Sequence, residues 1–141
     1  MNNRSVLRFD KYIVKTINFE INEEFLSQNK NVNLDFDIDA KSLSEGNRLI
    51  VELRAQIFKD AVKRGYPFEM NVVLQGYFSM VSEGKIDISI FETNAIAILF
   101  PYLRALVSSY TANANVTPVL LPAMNINEYI RRKYQNGEKQ A

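Results

Sequence analysis

Polar and apolar residues alternate along most of the first eighty residues, and this period of two constrains the fold more than any other feature. The alternation is clearest in residues 32–40, where every second side chain is apolar: Val32, Leu34, Phe36, Ile38 and Ala40. Successive side chains of a strand point to opposite faces, so the pattern indicates strands with one apolar and one polar face. Four such segments with short links predict an antiparallel meander that leaves one face in water.

The predicted strands cover residues 7–21, 32–40, 49–57 and 68–80, and residues 42–47 and 59–67 have the composition of loops. The alternation of the first strand fails where Lys11 and Lys15 fall at apolar positions and Tyr12 and Val14 fall at polar ones, while Ile13 keeps the apolar face. Such an interruption indicates a bulge or a strand that is apolar on both faces.

Gly76 lies in the middle of the fourth predicted strand. A glycine inside a strand indicates a bulge or the close approach of another backbone.

Charged residues become rare after Glu92, and residues 93–127 carry one formal charge, on Arg104. Because proline is best tolerated in the first turn of a helix, Pro101 predicts that the main helix begins near Leu99 or Phe100. An irregular crossing segment should follow over residues 111–122. Asn125 or Asn127 can cap a last helix over residues 128–134. We expect a single domain over residues 1–141, with frayed ends near residues 1–5 and 135–141.

The main helix lacks the charged outer face of an ordinary surface helix. Its outer face is expected to carry small polar residues: Ser108, Ser109, Thr111 and Asn113. A fully buried core helix is one explanation, and burial in an oligomer interface, where charge is depleted, is the one we favour. The apolar residues at helical spacing are the candidate interface: Leu103, Leu106, Val107 and Tyr110.

The composition excludes several chemistries. The chain has no Cys and no His, so a disulfide frame, a thiolate zinc site, a Ser-His-Asp triad and a His-ligated metal are ruled out. The 17 Lys and Arg residues nearly balance the 16 Asp and Glu residues, which argues against nucleic-acid binding. We expect no cofactor, no metal and no catalysis.

The longest apolar run, residues 95–103, has nine residues. That is far below the roughly 20 residues needed to cross a bilayer. The first twenty residues also lack the apolar region of a signal peptide. We therefore expect a cytoplasmic protein that does not insert into membranes.

Three carboxylates, Asp35, Asp37 and Asp39, share one face of the second predicted strand. They could form an acid–base pair or a cation site, and we keep a small α+β enzyme or ligand-binding domain as an alternative function. A solvated strand face is the simpler interpretation.

The nine Phe and seven Tyr residues have no catalytic group beside them. Apolar surface framed by free strand edges suits the binding of extended, sequence-diverse peptides. Most of these rings should belong to the core, and Tyr77 is a candidate because it should face away from the packed side.

Three blocks of the sequence resemble the SecB protein-export chaperones. The first is residues 8–20, and the second runs from residue 33 to residue 78 through Pro67-Phe68-Glu69-Met70 and Gly76-Tyr77-Phe78. The third is the most specific, and it comprises Leu99-Phe100-Pro101-Tyr102-Leu103-Arg104, followed by Pro118-Val119-Leu120-Leu121-Pro122 and Asn125-Ile126.

The resemblance implies a four-stranded antiparallel α+β fold with two helices on one side, assembled as a dimer of dimers. It implies an ATP-independent holdase that binds unfolded polypeptides or preproteins in apolar grooves and keeps them competent for export. The residues that it places in the grooves are Phe36, Phe68, Tyr77, Phe78, Leu120, Leu121 and Met124.

The resemblance also implies a partner surface, since family members that deliver clients to the SecA motor use an acidic patch on the outer face of the sheet. Glu20 matches that patch, whereas Thr16 replaces the first-strand Asp of the family, and Glu69 and Asn71 stand at its fourth-strand Leu and Glu positions. Glu20 and Glu69 are the candidate residues of the partner surface. Some SecB-like proteins instead protect the antitoxin of a toxin–antitoxin system. An antitoxin-dedicated chaperone is therefore the second functional hypothesis.

Overall fold

Four long strands form one antiparallel sheet in the computed structural model, which describes residues 5–26 and 31–140. The strands are β1 (Ser5–Ile21), β2 (Phe36–Glu45), β3 (Arg48–Ile57) and β4 (Phe68–Ser82). The helices are two single turns, α1 (Glu23–Leu26) and α2 (Ala61–Arg64), and two longer helices, α3 (Ile88–Asn113) and α4 (Ile126–Gln140). The predicted α+β fold is therefore confirmed. The predicted frayed residues 1–4 and 141 lie outside the described residues.

The order of the strands is β1-β4-β3-β2, so the predicted simple meander is wrong. Strands β2, β3 and β4 do follow one another as antiparallel neighbours, but β1 pairs with β4 along nearly its whole length. With 17 residues, β1 is closer in length to β4, which has 15 residues, than to β2, which has 10. Residues 22–35 supply a connection long enough to cross the end of the sheet.

The predicted bulge in β1 is confirmed. The register shifts between Phe9 and Lys11 and again between Val14 and Thr16. Between the two shifts the alternation of side chains is reversed. Ile13 consequently pairs with Gln75 on the polar face of the sheet, here called the outer face, and its predicted place on the apolar face is wrong.

Strand β2 begins later and ends later than predicted. Residues 31–35 are irregular, and the strand continues through Ser42–Ser44 to a two-residue turn at Gly46 and Asn47. Gly46 has a φ of 60°, a left-handed conformation that glycine adopts without steric cost. The loop predicted before β4 contains the single turn α2.

One face of the sheet, here called the inner face, is covered by α3. Its buried layer comes from alternate residues of β3 and β4, as predicted: Leu49, Val51, Leu53, Ala55, Ile57, Phe68, Met70, Val72, Leu74, Phe78 and Met80. Gly76 belongs to this layer, and a Cβ atom there would lie 2.9 Å from Phe78 Cε2 and 3.0 Å from Leu99 Cδ1. The close approach is therefore by side chains, and β4 pairs with β1 in unbroken register at Gly76, so neither a bulge nor another backbone explains this glycine.

Helix α3 begins eleven residues before the predicted start at Leu99, where the Asp87 carboxylate accepts a hydrogen bond from the Ile90 N–H. Pro101 consequently lies inside the helix and removes the bond to the carbonyl of Ala97. Both residues are exposed, so that carbonyl is on the side open to water. By length and composition alone α3 could span a membrane, but it packs here against the inner face through Leu99 and other buried residues.

Helix α4 is capped by Asn125, whose side-chain oxygen accepts from the Glu128 N–H, as one of the two predicted caps. The helix begins at Ile126 and continues past the predicted end at residue 134. It packs against α3 and against β2, which is an edge strand.

Candidate functional site

The irregular segment between α3 and α4, residues 114–125, displays Leu120 on the surface. Val119 and Leu121 are buried, whereas the intervening Leu120 is 72% exposed. The buried Thr111 hydroxyl accepts from the Val119 N–H at 2.9 Å, and Arg104 Nε donates to the Leu121 carbonyl at 2.9 Å. Bonds on both sides of Leu120 therefore fix its outward direction. We call residues 114–125 the crossing segment.

An apolar groove of about 370 Å³ lies beside the crossing segment. Its lining comes from α1, the loop before β2, the ends of β3 and β4, and the crossing segment: Phe25, Asn31, Val32, Leu34, Phe58, Pro67, Phe68, Val116, Thr117, Pro118, Val119 and Leu120. Hydrocarbon predominates in this lining, so the groove can accept apolar side chains of another polypeptide.

Phe58 helps to form the floor of the groove and has an unusual backbone conformation. Its φ is 55°, which a bulky residue rarely adopts. The ring lies 4.8 Å from that of Tyr66 and 5.1 Å from that of Phe68, and the Phe58 N–H donates to the Asp35 carbonyl at 2.9 Å. These contacts hold the strained backbone and direct the ring inwards.

Of the seven residues predicted to bind peptide, the structure brings Phe68 and Leu120 together in the groove. Leu121 is part of the core under the crossing segment. Met124 lies beside a separate cavity of about 550 Å³ next to α3.

The other three candidates are farther apart in the fold. Phe36 stacks on Tyr129 of α4 at 5.8 Å. Phe78 is 2% exposed under α3, whereas its neighbour Tyr77 lies on the outer face and donates to Gln75 Oε1 at 3.0 Å. Phe78 and Tyr77 cannot line one groove, because they point to opposite faces of one strand.

Sequence reasoning missed Phe58, Val32 and Leu34 as groove residues. The period of two predicts a strand over residues 32–40, but residues 31–35 have no regular secondary structure, and Val32 and Leu34 line the groove with Phe58. The loop composition of residues 59–67 does not predict that the ring of Phe58, just before the loop, is buried in the groove.

The expected oligomer interface needs correction. Leu103 and Val107 are completely buried, and Leu106 and Tyr110 are half-buried on the same core; the Tyr110 ring lies 5.6 Å from that of Phe19. This apolar stripe faces the sheet, because the sheet is the largest apolar surface available to α3. Thr111, expected on the outer face, is also buried.

The exposed apolar residues of α3 are different ones. Ile90 is 58% exposed, Ile98 is 37% exposed and Tyr102 is 40% exposed. The Tyr102 ring lies 4.9 Å from that of Tyr12, which is 42% exposed on β1.

Glu20 and Glu69, predicted as a partner surface, are directly opposite each other on β1 and β4. They line a small cavity of about 240 Å³, where Glu69 Oε1 accepts from the Asp60 N–H at 2.5 Å. The structure thus places two carboxylates side by side, and their role in partner binding remains a prediction.

The three aspartates of the second predicted strand do not form one site. Asp35 precedes β2 and bonds to Arg64 at 2.8 Å. Asp37 accepts from Lys133 at 2.9 Å, and Asp39 accepts from the Tyr134 hydroxyl at 2.7 Å. Within residues 5–26 and 31–140, no group of three or more His, Cys, Asp or Glu residues is arranged to hold a metal ion.

Asp37 and Asp39 instead help to attach α4 to the sheet edge. Tyr129 Oη accepts from the Ile38 N–H at 3.2 Å, and Lys133 Nζ donates to the Ile38 carbonyl at 3.2 Å. Burial alone would lower the pKa of Lys133, but its hydrogen bond to Asp37 raises it. These bonds cover edge backbone groups that could otherwise pair with another strand.

The sequence of the chain matches the family described as preprotein translocase subunit SecB over residues 1–137. The chain belongs to the SecB family. It is therefore a member of a chaperone family and not of an enzyme family.

Relatives and a solved structure agree with this membership. An uncharacterized protein of Methanocaldococcus jannaschii, MJ0357, is 38% identical over 97% of this chain and 93% of its own length. The protein-export protein SecB of Orientia tsutsugamushi strain Ikeda is 26% identical over 90% of this chain and 80% of its own length. The SecB-like chaperone Rv1957 of Mycobacterium tuberculosis, solved with a ChAD peptide from the HigA1 antitoxin, is 14% identical, with a TM-score of 0.61 over 84% of this chain and 87% of that one. The last likeness shows the SecB-like fold.

Proposed function

We propose that this SecB-family chain is an ATP-independent holdase, which binds unfolded or non-native polypeptides, including preproteins, in its apolar groove and supports protein export. The observation that carries the proposal is the crossing segment, which holds Leu120 exposed beside a groove floored by Phe58 and Phe68. Burial of client side chains contributes roughly 25 cal/mol per Å² without any readout of sequence. Such binding needs no catalytic group or cofactor, and we propose that the protein acts in the cytoplasm without enzymatic activity.

The substitution Leu120→Gln tests the groove. A small protein kept unfolded by reduction and carboxymethylation of its cysteines serves as the client, and fluorescence anisotropy gives its Kd. We expect Leu120→Gln to weaken binding by about fivefold, because one apolar side chain at an interface contributes about 1 kcal/mol. The fold should be unaffected, since Leu120 is exposed.

Leu43→Gln is the matched control, because Leu43 is 64% exposed on the outer face, away from the groove. Equal losses in the two variants would show that the groove is not the client site. A wild-type protein that neither binds the unfolded client nor suppresses its aggregation at stoichiometric ratios would remove the holdase proposal.

A second candidate function is a chaperone dedicated to an antitoxin. It is favoured by the fold shared with a SecB-like chaperone that was solved with an antitoxin peptide. A pull-down from the native host separates the two functions. Recovery of many different client proteins indicates the export function, and recovery of one small antitoxin indicates a chaperone dedicated to that antitoxin.

We propose that Glu20 and Glu69 form the surface for a SecA-type partner if the export function holds. The two adjacent carboxylates would attract a basic segment. Glu20→Gln combined with Glu69→Gln should then abolish SecA capture in the pull-down while the Kd for the unfolded client stays unchanged.

We also propose that the chain assembles as a homotetramer, a dimer of dimers. The isolated chain exposes 9337 Å², whereas a compact monomer of 16.2 kDa exposes about 7,500 Å². The excess per chain is about twice the roughly 800 Å² that each partner buries in one standard interface, as two interfaces per chain require. The exposed rings of Tyr12 and Tyr102 place apolar surface on the β1 side of α3. Light scattering should give a multiple of 16.2 kDa, and a monomeric mass would remove this proposal.

A further inference from the structure

Glu52 is a buried carboxylate at the centre of the outer face of the sheet. It is 3% exposed, although its side chain lies on the polar outer face, opposite the buried apolar layer of the sheet. Its neighbours across the sheet are Lys41 on β2 and Gln75 on β4. Three cations converge on it: Arg54 Nε at 2.9 Å, Lys41 Nζ at 3.5 Å and Lys15 Nζ at 3.6 Å.

These three cations exceed what one carboxylate needs. Burial opposes the ionisation of Glu52, but hydrogen bonds from Arg54 and Gln75 hold its pKa at about 2, so it is charged at neutral pH. Asp39 faces Arg54 from β2, so three positive charges against two negative charges leave a local surplus of one. The side chains of Lys15, Lys41 and Arg54 remain 53%, 71% and 57% exposed, so the surplus faces water.

The positive surface continues along the sheet beyond Glu52. In the next row, Lys11 Nζ lies 5.1 Å from the centre of the Tyr77 ring. Arg48 follows at the start of β3, beside a cavity of about 420 Å³ that Lys11 and Tyr77 also line. We call this surface the basic patch; its cations are Lys11, Lys15, Lys41, Arg48 and Arg54.

Carboxylates limit the length of the basic patch at both ends. At one end Asp10 and Glu45 lie beside Arg48, and at the other end Asp39 faces Arg54 and the pair Glu20 and Glu69 lies beyond it. Arg48 and Arg54 are six residues apart on β3, a distance of about 20 Å. A long polyanion such as a nucleic acid would run onto these carboxylates, whereas a short acidic peptide would not.

We propose that the basic patch binds a short, acidic, extended segment of a partner protein, on the face of the sheet opposite the apolar groove. The carboxylates of the segment would meet the exposed ammonium and guanidinium groups, and Tyr77 would contact its chain. The proposal is independent of the holdase function, because it uses a different surface and needs no unfolded client.

A fluorescein-labelled hexaglutamate peptide, which is about 20 Å long when extended, tests the proposal by anisotropy at low salt. The peptide has no apolar side chains, so it cannot bind through the apolar groove. We expect it to bind the wild type. The double variant Lys15→Gln/Lys41→Gln should weaken binding by about tenfold, since two charge pairs are lost. In this variant Arg54 and Gln75 still satisfy Glu52.

The matched control is Lys59→Gln/Lys85→Gln, which changes the net charge equally at exposed positions outside the basic patch. It should weaken binding by less than about twofold. Equal losses in the two double variants, no hexaglutamate binding by the wild type, or tighter binding of a hexathymidylate strand would each overturn the proposal. If the test variant fails to fold, Lys11→Gln gives the same readout, because its ammonium lies over Tyr77.

Discussion

On the inner face of the sheet, α3 and the crossing segment cover a continuous apolar layer, whereas on the outer face charged and amide side chains meet water. The same strands supply both faces. The inner face contains its opening where the crossing segment passes the end of the sheet, and the outer face contains its buried group, Glu52, where long side chains close over it. On the inner face, apolar surface is therefore accessible where the covering segments leave the groove open. On the outer face, charge is concentrated where Lys15, Lys41 and Arg54 surround Glu52.

Two neighbouring residues of β4 give the most direct test of this difference. Phe78→Ala should lower the free energy of unfolding by about 3 to 5 kcal/mol, because it removes a buried ring and leaves a cavity under α3. Tyr77→Ala on the outer face should cost about 1 kcal/mol. Urea unfolding measures both, and similar losses would mean that the two faces are not distinct in packing.

The pH dependence of stability tests the buried carboxylate of the outer face. Because folding lowers the pKa of Glu52 from 4.5 to about 2, its contribution is present above pH 4.5 and is lost as the pH falls towards 2. The wild type should lose about 3 kcal/mol more than Glu52→Gln over that range.

Glu45→Gln, an exposed carboxylate on the same face, is the control and should follow the wild-type curve. Parallel curves for wild type and Glu52→Gln would show that the three cations do not stabilise the charged form of Glu52.

The crossing segment gives a smaller but more local test of the inner side. Thr111→Val should cost about 1 to 3 kcal/mol, because it leaves the buried Val119 N–H without its acceptor. It should also weaken client binding, since Leu120 is no longer held outward. Urea unfolding and client anisotropy measure the two effects.

Thr93→Val is the matched control. The Thr93 hydroxyl donates to the Ser89 carbonyl on the exposed side of α3, so its loss should cost less than about 0.5 kcal/mol. Thr111→Ser keeps the hydroxyl and should restore client binding. Equal effects in the two valine variants would indicate that the Thr111 bond does not hold the segment.

Local pattern was sufficient for several parts of this molecule. The alternation of β3 and β4 assigned their buried and exposed faces correctly, and the fault in the alternation of β1 revealed its bulges. Asn125 was identifiable as a cap, since it precedes a helical pattern. The Leu99-to-Arg104 block identified the family.

Contacts between distant residues decided the rest. Alternation assigns a side chain to a face but does not choose the neighbouring strand, so the pairing of β1 with β4 depended on the tertiary structure. Helical spacing showed that Leu103 and Val107 are apolar, but the sheet under α3 decided that they are buried within the chain. The position of Pro101 predicts a helix start near Leu99, but packing of the preceding turns extends α3 back to Ile88, so Pro101 lies inside the helix.

By itself the sequence determined the number of strands, the two faces of β3 and β4, the family and the absence of His and Cys chemistry, because these follow from residue type and short-range periodicity. The tertiary structure alone decided which apolar residues line the groove and which cations gather around Glu52. Both surfaces join residues far apart in the chain, and their exposure depends on what the folded chain leaves uncovered.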